Sequence, residues 1–555
     1  MDIGFSCFHK ILTRIEKRHF LCFGVSMIVG MLTHLYMIAN KISNWDDLTC
    51  PAGVGGGEWH GRWLQPHVYR LFSIWSIPAI NGTMAVVLLA FAACFIISAL
   101  EIRSTAGVAL TASVLVTFPA VASNMTFMYI SELFSLALLF CAVGVYLTKR
   151  FRYGWIAAIF LIMDCMALYQ AYFAIAASLF VLMVLLELID AKGPESGAEA
   201  VKAKALRFFD RSEVRSGIKY VLVLGASMAA YLVSLKVSGR ELVSYKGMNA
   251  IGEQSAGQYL RGIARAYHRV LQYFVTKPES YLEGVPANLN RFAVVVLLAL
   301  LIWFFITRKV YKNFVSCLLY FFLLFMMPLA MGLIYVMTPT QEHASTVMTY
   351  SYVCLYFMII ALAERLGKPE IMAAGASGTS AAGQKNLAEE KSVDGRSYFA
   401  RALALLAALS VFMISYAHFQ ITNEAYYRSL LAQERVKVYL SHVMERLEEQ
   451  EGYEYGDPVI FGGNWAPEKP PIMYRDMDSA KFRDFEGLAV ESGFLSLTIR
   501  GYFIRYFFGL DVGLPEEEEI TAMMARPEYL AMPVYPAQGC IQQIDDTWVV
   551  RLAPN

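Results

Sequence analysis

Charge is what this chain has least of. Only 17% of its 555 residues are Asp, Glu, Lys or Arg, against 57% apolar, where a soluble globular protein is about a quarter charged. That scarcity and a mean hydropathy of +0.46 exclude an ordinary soluble domain. The net charge of +1 comes without a sustained basic stripe, so no nucleic-acid partner is expected. Signature motifs are missing too. There is no HExxH and no paired-Cys metal motif, no GxSxG elbow, and no Gly-rich phosphate loop ending in Lys-Ser or Lys-Thr. No internal repeat of the transporter kind is visible either.

Long apolar runs are present instead. About 18 to 20 such residues cross the ~30 Å of bilayer hydrocarbon, and hydropathy predicts eleven spans: 20–39, 83–100, 106–122, 127–147, 154–168, 171–189, 220–237, 292–307, 314–337, 345–363 and 398–416. The run from Trp155 to Ile189 is too long for one crossing, and basic segments flank it on both sides, so it reads as two helices turning at "LYQAY". The first run, after the basic stretch "MDIGFSCFHKILTRIEKRHF", reads as an uncleaved signal anchor. Arg and Lys then gather at the N-terminus, at Arg103, Lys149–Arg152, Arg207–Lys219, Arg308–Lys312 and the linker 364–397. The positive-inside rule makes that face cytoplasmic. The chain is therefore expected to be a polytopic α-helical protein of the cytoplasmic (inner) membrane. Residues 1–418 form the membrane domain, and residues 419–555 a small exterior, periplasmic α+β domain with strands at "DPVIFGG" and "TWVVRL".

The first exterior loop, 40–82, holds the densest set of reactive side chains: "NWDDLTCPAGVGGGEWHGRWLQPHVYRLFS". An aspartate pair alone fits a helix cap. Here Asp46 and Asp47 precede a glycine cluster, Glu58, His60 and Arg62, and a Trp/Tyr/Arg stretch through Arg70 suited to the membrane interface. A carboxylate at the headgroup plane can deprotonate an incoming hydroxyl while His60, Arg62 and Arg70 neutralise a departing lipid phosphate. Asp46 and Asp47 are both candidates for the base. The same loop offers Asp46, Asp47, Glu58 and His60 to a divalent cation such as Mg or Mn, and the metal question stays open. Cys50 and Cys540, the two exterior cysteines, are free to pair in an oxidising compartment.

"NWDDL…GGGEWHGRWL", "LYQAYF", "SYKGMNAIGE" and the tail "MPVYPAQGCIQQIDDTWVVRL" together resemble the bacterial and phage type-II O-antigen glucosyltransferase family, within the GT-C superfamily. The resemblance implies an inverting glycosyltransferase that takes a sugar, as glucose, from undecaprenyl phosphate outside the cytoplasmic membrane. The acceptor it implies is a surface polysaccharide such as O-antigen, with a separate flippase and lipid-sugar synthase supplying the donor. The superfamily's essential acid in the first exterior loop falls on Asp46 or Asp47, and its "YQ" on Tyr169 and Gln170 as sugar contacts.

Other residues carry weaker signals. Glu132 at the outer end of the fourth span is a second acid or a snorkelling interfacial side chain. Asp164 lies inside a span, where carboxylates are costly. In the long exterior loop 238–291, Arg240, Lys246, Arg261, Arg265, His268 and Arg269 break the charge rule, as phosphate ligands or as the solvated face of an amphipathic helix. His343 follows the ninth span. The rival reading is a transporter or flippase for a lipid-linked solute.

Overall fold

The computed structural model describes residues 15–55, 57–72, 74–191, 211–238, 254–338, 342–366, 387–463, 479–482, 484–488 and 491–554. Among the described residues, ten helical segments are long and apolar enough to cross a membrane, as expected of a polytopic helical membrane protein. They are built on α1 (Lys17–Ala39), α3 (Pro78–Leu100), α4 and α5 (Thr105–Thr117, Pro119–Thr126), α6 (Ser131–Arg150), α7 and α8 (Gly154–Tyr169, Phe173–Asp190), α9 (Ser212–Val237), α11 (Val285–Thr307), α12 (Phe314–Met331), α13 (Cys354–Leu366) and α14 (Leu387–Glu448). Short α2 (Trp45–Thr49) and α10 (Ala256–Leu271) lie between them.

Local chemistry sets the breaks. Proline at the first helical position starts α3 and α5, and at the second α11, where its missing N–H costs nothing. Ser104 and Asn313 cap α4 and α12 through their side-chain oxygens. Pro119 forces Phe118 out of helical geometry (φ −59°, ψ 137°) and divides one span into α4 and α5.

The 154–190 segment is interrupted at Tyr169, which is extended (φ −158°, ψ 105°), and continues through a 3₁₀ turn at Gln170–Tyr172. Both outer ends of the segment sit at one end of the bundle. Asp190 pairs with Arg365 at 2.9 Å, while Lys149, just before α7, pairs with Glu101 at 2.9 Å. Lys219 donates to the Thr148 carbonyl and Arg18 to that of Ile102 at the same end. The Tyr169–Tyr172 turn lies at the opposite end, beside the Asn44 loop. The segment thus traverses the bundle twice, so the ten candidate helical segments make eleven passes among the described residues.

The last span and the helix expected to open the tail are one continuous helix, α14, of 62 residues. The boundary read at residue 418 falls inside it, because nothing between Tyr398 and Glu448 breaks helical geometry. Of the expected linker 364–397, residues 367–386 lie outside the described residues. Beyond α14, a three-stranded sheet has the order β1 (Val459–Gly462), β3 (Thr547–Arg551), β2 (Ile541–Ile544). β1 runs parallel to β3, with Val459 opposite Trp548, and β2 is antiparallel, with Ile544 opposite Thr547. Helices α15 (Arg500–Phe508) and α16 (Glu517–Met524) cover it.

The tail domain is docked onto the Asn44 loop. Leu48 of α2, 2% exposed, belongs to the same core as Val436, Leu440, Phe494 and Phe503. Gln433 of α14 accepts from the Ser43 amide (3.1 Å) and donates to the Lys41 carbonyl (3.0 Å). The expected Cys50–Cys540 disulfide is not formed, and both thiols are free. Cys540 is buried in the tail core, whereas Cys50 packs against the bundle core. Apolar burial does the stapling in its place.

Two outcomes follow. Single cysteines replacing Arg152 and Ala191 should label with a membrane-impermeant thiol reagent from the same face; labelling from opposite faces would refute the double crossing. Leu48→Ala should cost about 2–5 kcal/mol, seen as faster protease release of the tail in detergent.

Candidate functional site

The Asn44 loop is fixed from below and from the side. Asn44 caps α2, its side-chain oxygen accepting from the Asp47 amide at 2.9 Å. This places the two aspartates differently. Asp47 is fully buried. The Lys41 ammonium meets its carboxylate at 2.7 Å, and the Ser76 hydroxyl donates to its other oxygen. Lys41 also donates to the Ser76 hydroxyl (2.7 Å) and carbonyl (3.0 Å), so the network is closed. Asp46, one residue earlier, is only partly buried. The buried Tyr129 hydroxyl lies within the electrostatic reach of Asp46, Asp47 and Arg62, so these groups share one neighbourhood of the loop.

The Tyr169–Gln170 turn holds the loop from the side. The Gln170 amide donates to the His60 carbonyl (2.7 Å) and to the Tyr231 hydroxyl (3.0 Å), which in turn donates to the Gly61 carbonyl (3.1 Å). Leu64 and Gln65 donate to the carbonyls of Ala167 and Leu168, and the Trp63 indole to Ser234. The Arg62 guanidinium lies 4.9 Å above the Tyr169 ring, and its Nε is buried without a hydrogen-bond partner among the described residues. A buried, unused cationic donor is costly unless an anion completes it. His60 is pushed down by burial and by the Arg62 charge, which leaves it neutral at pH 7 and Arg62 as the cation.

Glu132, in the first turn of α6, is fully buried. Asn81 and Ser131 are polar neighbours, yet neither carboxylate oxygen makes a hydrogen bond of ordinary geometry. Asp164 sits partly buried in α7, between Met163 and Cys165. Arg70 is exposed at the surface, donating to the Tyr69 hydroxyl at 3.1 Å. The backbone of Glu58 lies in a 3₁₀ turn, Gly57–His60, and its side chain is outside the described residues, as are Arg240 and Lys246.

His343 belongs to a second polar cluster. It lies 3.7 Å from Glu279, whose carboxyl burial pushes up against the opposing pull of His343. Arg269, near the end of α10, donates to the Glu342 carbonyl at 2.8 Å. Rings Tyr169, Tyr172, Tyr350, Phe118 and Tyr273 link the two clusters at successive centroid separations of 5.1, 5.5, 5.7 and 6.4 Å. Among the described residues no group of three His, Cys, Asp or Glu stands ready to hold a metal ion; Asp47, one of the four donors expected, is already committed to Lys41 and Ser76.

Sequence reasoning did not find Lys41, Ser76, Tyr231 or Gln433. Lys41 carried a signal, a cation six residues before a carboxylate. A lone serine, glutamine or tyrosine far along the chain carries none.

A family model described as Glucosyl transferase GtrII matches residues 35–360. That stretch takes in the Asn44 loop, the Tyr169–Gln170 turn and most of the bundle. No curated protein and no solved structure matches the chain.

Gly61 tests the lateral clamp. Its φ is +78°, and a Cβ there would lie 2.7 Å from the Tyr231 hydroxyl and 3.1 Å from the Gln170 amide. Gly53, at φ +96°, has nothing within 4 Å of that position. Gly53→Ala should cost only the left-handed strain, about 1–2 kcal/mol. Gly61→Ala should lower the melting temperature further and expose the loop to protease, and equal effects would argue against the clamp.

Proposed function

Because the chain belongs to the Glucosyl transferase GtrII family, we propose that this membrane glucosyltransferase takes glucose from undecaprenyl phosphate and transfers it, with inversion, to a surface polysaccharide such as O-antigen. The observation that carries the reading is the division of labour in the loop. Asp47 is fully buried and locked in its ion pair, whereas Asp46 is only partly buried and is the one of the two that an acceptor hydroxyl can reach; the same loop carries the unused Arg62 donor.

In this reading the end of the bundle bearing the Asn44 loop and the tail is periplasmic, and the end bearing Arg18, Lys149 and Arg365 is cytoplasmic, by the distribution of positive charge. Asp46 takes the proton from an acceptor hydroxyl as general base. The hydroxyl oxygen bonds to the glucose anomeric carbon as the bond from that carbon to the phosphate oxygen breaks. The electron pair leaves with undecaprenyl phosphate, and Arg62 offsets the charge it gains. One displacement on the face opposite the leaving group inverts the anomeric centre. The proton remains on Asp46 until solvent removes it. A GT-C type enzyme working this way needs no nucleotide loop, because the sugar arrives already attached to lipid. A separate synthase and flippase supply that donor.

The experiment is a transfer assay with purified protein, undecaprenyl-phosphate glucose carrying labelled sugar, and O-antigen-bearing lipopolysaccharide. Asp46→Asn should lose about 10²–10⁴-fold in rate with an unchanged melting temperature. Wild-type transfer by this variant, or movement of intact labelled lipid across the bilayer without transfer, would overturn the reading.

A further inference from the structure

Between β1, α15 and the start of α16, the tail domain holds a cleft of about 280 Å³. Leu514 and Ile520 contribute to its apolar floor, and Thr498, Tyr502, Glu516 and Glu517 to its polar lining. Thr498 and Glu517 are exposed, and Tyr502 is 36% exposed. Glu516 also caps α16, its side chain and that of Glu519 each accepting a backbone N–H, so the rim is held by the helix start rather than by a free loop.

The position of this cleft gives it meaning. Tyr502 and Tyr506 stand four residues apart on α15, on one face and about 6 Å apart along the axis. The Tyr506 ring lies 5.5 Å from the Lys41 ammonium, which is paired with Asp47. One helix therefore runs from the cleft to the acid loop. The lining chemistry narrows the ligand. An aromatic face beside apolar walls suits the C–H face of a pyranose, and carboxylates at the rim accept hydrogen bonds from sugar hydroxyls. The same carboxylates repel uronic acids and phosphorylated sugars.

We propose that this cleft is an acceptor subsite. It holds a neutral saccharide unit of the same polysaccharide whose hydroxyl is presented to Asp46. The proposal rests on the glycan-acceptor reading above. The family match ends at residue 360, so the cleft belongs to the part of the chain beyond the matched stretch, where acceptor choice can differ while donor chemistry is shared.

The test uses full-length protein with O-antigen-bearing lipopolysaccharide as acceptor. Tyr502→Ala, Glu517→Gln and Thr498→Trp, the last chosen to fill the cleft from its mouth, are compared with wild type. Each variant's melting temperature is checked first. The expected result is an acceptor KM raised about tenfold, with kcat, donor KM and acceptor-independent hydrolysis of the lipid-linked glucose all within twofold. An unchanged acceptor KM in folded Tyr502→Ala and Thr498→Trp overturns the subsite while wild-type transfer leaves the glucosyltransferase reading standing. A fall in acceptor-independent hydrolysis overturns it as well, since the cleft would then serve the donor. If wild type moves no glucose to the polysaccharide, the underlying reading itself fails, and the two failures are told apart.

Discussion

A carboxylate survives full burial only when a cation and hydrogen-bond donors replace its water, and Asp47 has both. Lys41, at the end of the first span, and Ser76, just before the second, close around it. The network therefore ties the two ends of the loop to each other and to the helix α2 that carries the acids. Asp46 inherits its position from this arrangement. It is the neighbour of a fixed residue on a capped turn, left partly exposed where Asp47 is not. Two adjacent acids of one type thus acquire different burial from their surroundings alone.

Other contacts converge on the same loop. The Tyr169–Gln170 turn reaches it laterally, and both Gln170 amide hydrogens are spent there. From above, Leu48 enters the tail core and Gln433 brackets the backbone at Lys41 and Ser43. Under the proposed function such preorganisation matters, because a base and a phosphate-binding cation would have to keep their spacing while a mobile lipid substrate arrives. The cation–π contact between Arg62 and Tyr169 fixes the guanidinium without consuming its charge.

Much of this architecture was legible in the residues, for identifiable reasons. Membrane spans announce themselves by length and hydropathy, and the double crossing at 154–190 followed from basic flanks on both sides of a run too long for one pass. The strands at "DPVIFGG" and "TWVVRL" were legible because short apolar runs bounded by turn residues have few alternatives. The loop drew notice because it mixes acids, glycines and arginines where lipid headgroups lie. The split between Asp46 and Asp47 was not legible, since it depends on Ser76 and on a lysine whose direction no local pattern encodes. The Cys50–Cys540 pairing failed because compartment and count say nothing about which core each thiol enters. Likewise the continuity of α14 through residue 418 was not legible, since a hydropathy drop marks where lipid ends and not where a helix does. The role of Gln170 toward His60 spans 110 residues of sequence, beyond the reach of any periodicity.

The assignment of holding to Asp47 and chemistry to Asp46 is tested most directly by purifying Asp47→Asn and measuring its melting temperature beside its transfer rate. The account predicts a marked loss of stability, about 3–5 kcal/mol for a buried pair left with one charge, and transfer that falls only as far as the folded fraction does. A variant that melts like wild type yet transfers no glucose would contradict it and make Asp47 the base.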